Sequence, residues 1–157
     1  MDITSLFAQF LSGLTYGTIL FLVAAGLSLI FGVMNILNFA HAALWLMGAY
    51  FSYTFWSWMQ GYSFAFWLSI PLAGLAAAAV GWVMEVVLIK RIYKRELYEQ
   101  LLITYSIALI LSDTIKLTWG VTNKLIVRPE MIRKPVFIFG APLDSYFIFV
   151  ILAGAAV

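Results

Sequence analysis

The sequence predicts an all-α protein, a polytopic transmembrane helical bundle of about four spans followed by an incomplete fifth. Its 157 residues are 64% hydrophobic and 10% charged, and the mean hydropathy is +1.02, whereas water-soluble chains are about half apolar and a quarter charged. No Asp, Glu, Lys or Arg occurs between Asp2 and Glu85. A charge-free run of this length accommodates several spans of roughly 20 residues each, so lipid is expected to face much of the chain.

The first three spans are predicted within this charge-free run. The first extends from about Leu11 to Met34, and a polar step from Asn35 to His41 then interrupts it as a helix break at or near membrane depth. A second apolar stretch covers about Ala40 to Trp58 and is bordered by tyrosines and tryptophans, which are typical of the membrane surface. The third span covers about Phe64 to Ile89.

A fourth span is predicted from about Leu101 to Gly120, and a polar, proline-containing connector follows from Val121 to Asp144. From about Ser145 the chain is apolar to Val157, which is some 13 residues where a span needs roughly 20. We therefore expect residues 1–157 to form a single transmembrane domain that is the N-terminal portion of a longer protein.

The densest cluster of charge directly follows the third span. Its basic members are Lys90, Arg91, Lys94 and Arg95. Positively charged residues beside a span end favour the cytoplasmic side of a membrane, so the loop from Lys90 to Glu99 is expected to be cytoplasmic. The connector after the fourth span is also net basic, but its charges are spread over a longer segment and count less.

Several classes of chemistry are not indicated by this composition. The chain has no Cys and one His, and it has no Gly-Lys-Ser/Thr phosphate loop, so we predict no catalytic residue, no cofactor and no metal site. The net charge of +2 comes from a few clusters and gives no reason to expect nucleic-acid binding. The chain is not expected to be an enzyme, and any coupled ATP hydrolysis is expected in a separate chain.

Three polar residues are the candidate substrate pathway, because polar groups in apolar sequence usually face a bundle interior or a cavity. Asn35, Asn38 and His41 recur every three residues and would share one arc of a continued helix. One interpretation is a broken transporter helix that offers side-chain amides and helix ends to a polar solute. The other is that both Asn residues cap helix ends and His41 bonds a neighbouring helix.

Two further sets of residues are predicted to hold helices together. The first-span glycines suit close helix packing, with a helix bend as the alternative; they are Gly13, Gly17, Gly26 and Gly32. The charged residues near span ends suit ion pairs, with a gating or solute contact as the alternative; they are Glu85, Lys90, Asp113 and Lys116.

The stretch from Gly13 to Tyr50, GLTYGTILFLVAAGLSLIFGVMNILNFAHAALWLMGAY, closely resembles the beginning of branched-chain amino acid ABC transporter permeases of the LivH type. The matching residues of this family's motifs are Asn38, Phe39, Ala40, His41, Gly48, Ala49 and Tyr50. Two positions depart from the family pattern, since Ala42 replaces a Gly and Arg91 replaces a Pro. The resemblance continues more weakly over nearly the whole chain.

This resemblance implies the permease subunit of a bacterial inner-membrane importer for branched-chain amino acids or related small polar solutes such as amides and urea. It also implies a second permease subunit, two cytoplasmic ATP-binding subunits and a periplasmic solute-binding protein as partners. Two alternatives stay open from the residues alone. The chain could form a passive channel for small neutral solutes, or it could be a non-transporting fragment that needs a partner chain to fold.

Overall fold

The computed structural model describes residues 3–133, 135–138 and 141–155, and this part of the chain contains six α-helices, one 3₁₀ turn and one hairpin. In chain order these are α1 (Ile3–Met34), α2 (Ala40–Trp58), α3 (Ala65–Val87), the 3₁₀ turn (Ile89–Ile92), α4 (Leu97–Trp119), α5 (Glu130–Arg133), β1 (Pro135–Ile138), β2 (Ala141–Asp144) and α6 (Ser145–Ala155). The predicted helical membrane fold, with its break after Met34, is confirmed.

Among the described residues, three helical segments are long and apolar enough to cross a membrane: Ser5–Met34, Ala65–Ile92 and Leu97–Trp119. They correspond to the first, third and fourth predicted spans. Helix α2 has the predicted bounds and, at about 28 Å, is close to the thickness of a bilayer core. Its Ser, Thr, Tyr and Trp side chains make it less apolar than the other three. The last apolar segment forms the short helix α6.

The chain divides into two compact units. The first unit, Gly26–Val127, contains the end of α1 together with α2, α3 and α4, and the second combines the chain up to Ala25 with the chain from Arg128. Within the first unit, α2 packs most extensively on α3 and then on α4. Large apolar side chains remain exposed along these helices, as expected for surfaces that lipid covers.

Small residues bring α2 and α3 close together. A Cβ added at Gly48 would lie 3.6 Å from the Cβ of Ala77, which is ordinary van der Waals contact. The hydroxyl oxygens of Ser52 and Ser69 lie 3.2 Å apart across the same interface, and Ser69 is fully buried. Close approach of small residues and hydroxyl hydrogen bonds are typical of helix pairs in membranes.

Helices α2 and α4 are joined by Trp119, the last residue of α4. Its indole Nε1–H donates a hydrogen bond of 2.7 Å to the hydroxyl of Thr54, and its ring lies 5.4 Å from the Tyr50 ring and 5.8 Å from the Phe51 ring. The next residue, Gly120, has φ +79°, a left-handed conformation that glycine adopts without strain. Helix α4 therefore ends directly after this contact.

A buried apolar cluster joins the helices of the first unit away from the Trp119 contact. Its members are Ile36, Ala40, Met84, Ile89 and Ile107. The 3₁₀ turn takes part because Ile89 and Ile92 are buried at either end of the turn. The basic residues between and after them remain exposed, so the cluster anchors the basic loop to the membrane helices.

The second unit contains an element that the sequence did not indicate. Within the predicted polar connector, β1 and β2 pair as an antiparallel hairpin, with Pro135 opposite Asp144 and Ile138 opposite Ala141. In the same unit, α6 approaches the first part of α1 so closely that a Cβ added at Gly154 would overlap Thr18. Gly154 is thus required by packing.

We expect the hydrogen bond between Trp119 and Thr54 to stabilise the contact of α2 with α4. Thr54→Val and Trp119→Phe should show a coupling free energy of about 1 kcal/mol in a double-mutant cycle of unfolding. Thr114→Val is the matched control, since that hydroxyl bonds only the carbonyl of Ile110 within α4. Additive effects of the two substitutions would contradict this assignment.

Candidate functional site

The break between α1 and α2 is made by the backbone of Asn35. This residue has φ +56°, and its N–H donates a 2.8 Å hydrogen bond to the carbonyl of Phe31. Asparagine tolerates the left-handed region better than most residues, so it can end α1 at Met34 and turn the chain. Its exposed side chain has no described hydrogen bond across the break.

Asn38 lies on the inner side of this turn and is 6% exposed. Its side-chain oxygen accepts a 3.0 Å hydrogen bond from the N–H of Ala40, and its carbonyl accepts a 3.1 Å bond from the N–H of His41. An Asn side chain that bonds the backbone two residues on favours a turn. Asn38 therefore starts α2.

Helix α4 places the buried residue Thr104 against the break and carries a second buried polar residue, Gln100, one turn before it. The Thr104 hydroxyl lies 3.2 Å from the carbonyl of Leu37 in the break and 2.9 Å from the carbonyl of Gln100 in its own helix. Gln100 donates through Nε2 to the carbonyl of Arg95, but its Oε1 is buried without a hydrogen-bond partner among the described residues. We call Asn38, Gln100 and Thr104 the break cluster.

The sequence analysis did not single out Gln100 and Thr104, although a signal for them exists. They are four residues apart, so they share one face of α4, and both are uncharged polar residues in a helix that is otherwise largely apolar there. Each is at most 6% exposed. Polar residues at this spacing in an apolar helix predict a buried contact.

His41 packs directly on Gly26 of α1. A Cβ added at Gly26 would lie 2.8 Å from Nε2 and 2.9 Å from Cε1 of the imidazole, closer than side-chain carbons approach in folded proteins. Gly26 is one of the four glycines predicted to pack against a helix. At the other three, Gly13, Gly17 and Gly32, an added Cβ would meet nothing within 4 Å in the described part of the chain.

A cavity of about 170 Å³ adjoins the break. Asn38 and Glu85 are the polar residues of its lining, and the remaining lining residues are apolar or glycine: Ile30, Met34, Ile36, Leu44, Gly81, Met84 and Ile89. An apolar cavity of about 150 Å³ can hold a benzene molecule. The cavity is therefore large enough for a small aliphatic group but not for a large ligand.

The predicted charged residues meet different partners. Asp113 and Lys116 lie 2.9 Å apart, three residues apart on α4, with most of each side chain exposed. Glu85 accepts a hydrogen bond from the Tyr93 hydroxyl, and within residues 3–133 no ion pair joins it to Lys90. Desolvation and the neighbouring Glu85 raise the pKa of Tyr93 to about 12, so its hydroxyl remains a donor at ordinary pH.

Comparison with known proteins identifies a family for this chain. The sequence model of the family "branched-chain amino acid transport system / permease component" matches residues 9–157. The permease protein LivH of the high-affinity branched-chain amino acid transport system is 26% identical over 118 residues in both Salmonella typhimurium and Escherichia coli. The match covers 71% of this chain and 38% of each relative. No solved structure matches the chain.

The contact between Gly26 and His41 predicts a specific pattern of mutational effects. Gly26→Ala should lower the free energy of unfolding by about 1 kcal/mol relative to Gly32→Ala, because the imidazole must move to admit the methyl group. When His41 is already Ala, the same Gly26→Ala substitution should have little further effect on the free energy of unfolding, because no imidazole is left to displace. Unfolding in detergent measures both effects.

Gly32→Ala is the control for this prediction, since it adds the same methyl group to the same helix where nothing lies within 4 Å. It should be neutral or slightly stabilising. If Gly26→Ala were as harmless as Gly32→Ala, the close packing of His41 on Gly26 would be wrong.

Proposed function

Because the chain belongs to the family of branched-chain amino acid transport system permease components, we propose that it acts as the membrane permease subunit of an ATP-driven importer. The proposed solutes are branched-chain amino acids or related small polar solutes such as amides and urea. The family match over residues 9–157 carries this proposal. The matched part of the chain spans 38% of the length of each of these curated relatives.

The proposed importer has further subunits. A second permease subunit would pair with this one, cytoplasmic ATP-binding subunits would drive transport, and a periplasmic solute-binding protein would deliver the solute. This chain would perform no covalent chemistry. Its part is to offer the solute a path through the inner membrane, with the basic loop from Lys90 to Glu99 on the cytoplasmic side in keeping with the positive-inside rule.

We place the solute path at the break between α1 and α2, near Asn35, Asn38 and His41. A break inside the membrane presents the carbonyl end of α1 and the N–H end of α2, whose partial charges suit the ammonium and carboxylate groups of a zwitterion. The 170 Å³ cavity beside Asn38 is apolar on most sides and suits an aliphatic side chain. Polar ends and an apolar cavity together favour a solute such as leucine.

Gln100 is the residue of the break cluster best suited to a solute contact. Its Oε1 is a buried hydrogen-bond acceptor that has no partner in the part of the chain that the structure describes, and leaving such an atom unpaired costs about 1–3 kcal/mol. The N–H groups of an ammonium or amide could satisfy it. Asn38, in contrast, already uses its side-chain oxygen to start α2, so we assign it to positioning the break.

The proposal predicts that transport requires energy and delivery. Proteoliposomes that contain this permease with its ATP-binding and second permease subunits should accumulate radiolabelled leucine only under two conditions. ATP must be on the side of the membrane that the ATP-binding subunits face, and the binding protein must be present. The non-hydrolysable analogue of ATP serves as the control. Uptake without ATP or without the binding protein would instead support a passive channel.

A second prediction separates a solute contact from a structural role. Gln100→Met keeps the length of the side chain but removes both the unpaired oxygen and the hydrogen bond from Nε2 to the Arg95 carbonyl. These two changes have opposite effects on stability, so the unfolding temperature should stay close to that of the unmodified protein, whereas uptake should fall by roughly tenfold or more. Thr104→Val should do the opposite, lowering stability by about 1 kcal/mol with uptake per folded molecule retained. Normal uptake by Gln100→Met would exclude a solute contact at this residue.

A further inference from the structure

The basic loop after α3 contains a pocket that the transport proposal leaves without a role. It has a volume of about 410 Å³, and its lining consists of Arg91, Ile92, Arg95, Glu99, Leu102 and Ile103. Two guanidinium groups and one carboxylate thus share a pocket with three aliphatic side chains. The aliphatic residues come from the 3₁₀ turn and from the first two turns of α4.

The charges of this pocket are incompletely compensated. Arg95 and Glu99 form a long contact of 3.9 Å in which 65% of the Arg95 side chain remains exposed, and an exposed pair of this kind is weak. Arg91 has no ion pair among the described residues. Since Lys90 and Lys94 flank the pocket and are exposed, the loop attracts anions.

A second, apolar cavity lies further along α4. A groove of about 410 Å³ between α3 and α4 is lined entirely by aliphatic side chains, among them Leu88, Ile107 and Ile110. Ile107 lies one turn beyond Ile103 on the same face of α4. From Glu99 to Leu111, the far end of this lining, α4 rises roughly 18 Å, which is about the thickness of one leaflet of the hydrocarbon core.

We propose that this pocket and groove bind one anionic phospholipid. Arg91 and Arg95 would hold the phosphate, for which the planar guanidinium group is well suited, and one acyl chain would lie in the groove between α3 and α4. A basic pocket at the end of a membrane helix is a recognised kind of lipid headgroup site. The apolar groove further along α4 favours a phospholipid over a free phosphate ion or a water-soluble protein, because neither of those would cover it.

The site differs from the break cluster in its accessibility. The break cluster is buried inside the first unit, whereas Arg91 and Arg95 are exposed at the level where a span ends. Glu99 disfavours an anion, but its contact with Arg95 is long and exposed, so Arg95 can leave it for a phosphate. The bound lipid would tie the 3₁₀ turn to α4 from outside, independently of any solute.

Native mass spectrometry of the purified chain in detergent tests this proposal with phosphatidylglycerol and phosphatidylcholine of identical acyl chains. The unmodified chain should bind phosphatidylglycerol more tightly. Arg91→Gln with Arg95→Gln should weaken phosphatidylglycerol binding by roughly ten- to thirtyfold, at about a factor of five per cation. It should weaken phosphatidylcholine binding much less, because the choline cation already offsets the charge of that lipid's phosphate. Equal affinity of the unmodified chain for the two lipids would overturn the proposal.

Lys90→Gln with Lys94→Gln is the matched control, because it removes the same charge from the same loop but outside the pocket lining. A loss as large as that of the arginine variant would indicate diffuse attraction rather than a site. If the arginine variant kept its lipid affinity but lost association with ATP-binding subunits, the surface would be a protein interface and the lipid proposal would be wrong.

The groove is tested separately from the charges. Ile110→Trp places a bulky ring in the groove and should weaken binding of both lipids severalfold, whereas Leu109→Trp, at an exposed neighbour outside the groove lining, should not. Unfolding temperatures in lipid-free detergent show whether each variant is folded. If both tryptophan variants are folded and bind lipid equally well, the placement of the acyl chain in the groove is wrong.

Discussion

The need to satisfy every backbone polar group inside a membrane is the constraint on which this structure depends. A bilayer core offers no water, so a helix that stops within it exposes carbonyl and N–H groups at a cost of several kcal/mol each. The break between α1 and α2 meets this constraint by burial. Ile36, Asn38 and Ala40 are at most 6% exposed, and the hydrogen bonds around them come from within the protein.

The same constraint explains why α4 carries polar residues where it faces the break. Thr104 lies within hydrogen-bond distance of the carbonyl of Leu37, a group that no regular helix would satisfy, and the Asn38 side chain serves the N–H of Ala40. The polar groups at the break thus have a structural use in closing it. Gln100 differs from them, since its Oε1 has no hydrogen-bond partner within the described residues.

Much of the architecture could be predicted because lipid makes the hydropathy signal strong. The end of α1 at Met34 and the bounds of α2 followed from the polar residues between them, and the charge-free run implied several spans. The hairpin from Pro135 to Asp144 could not be predicted, because a proline-containing connector has no regular pattern. The contacts of Gly26 with His41 and of Glu85 with Tyr93 could not be predicted either, because they depend on how the elements pack in three dimensions. For the first contact, α1 has glycines at four similar positions, and the sequence alone does not show which of them packs against a side chain.

The anchored basic turn after α3 also concentrates charge at one place along these helices. Between Asp2 and Glu85 the sequence carries no charged side chain, and the first Lys and Arg of residues 1–157 are those of this turn. Positive charge beside a span end biases the orientation of a membrane helix. A change of charge in this one turn would therefore act on the orientation of α1, α2 and α3 together.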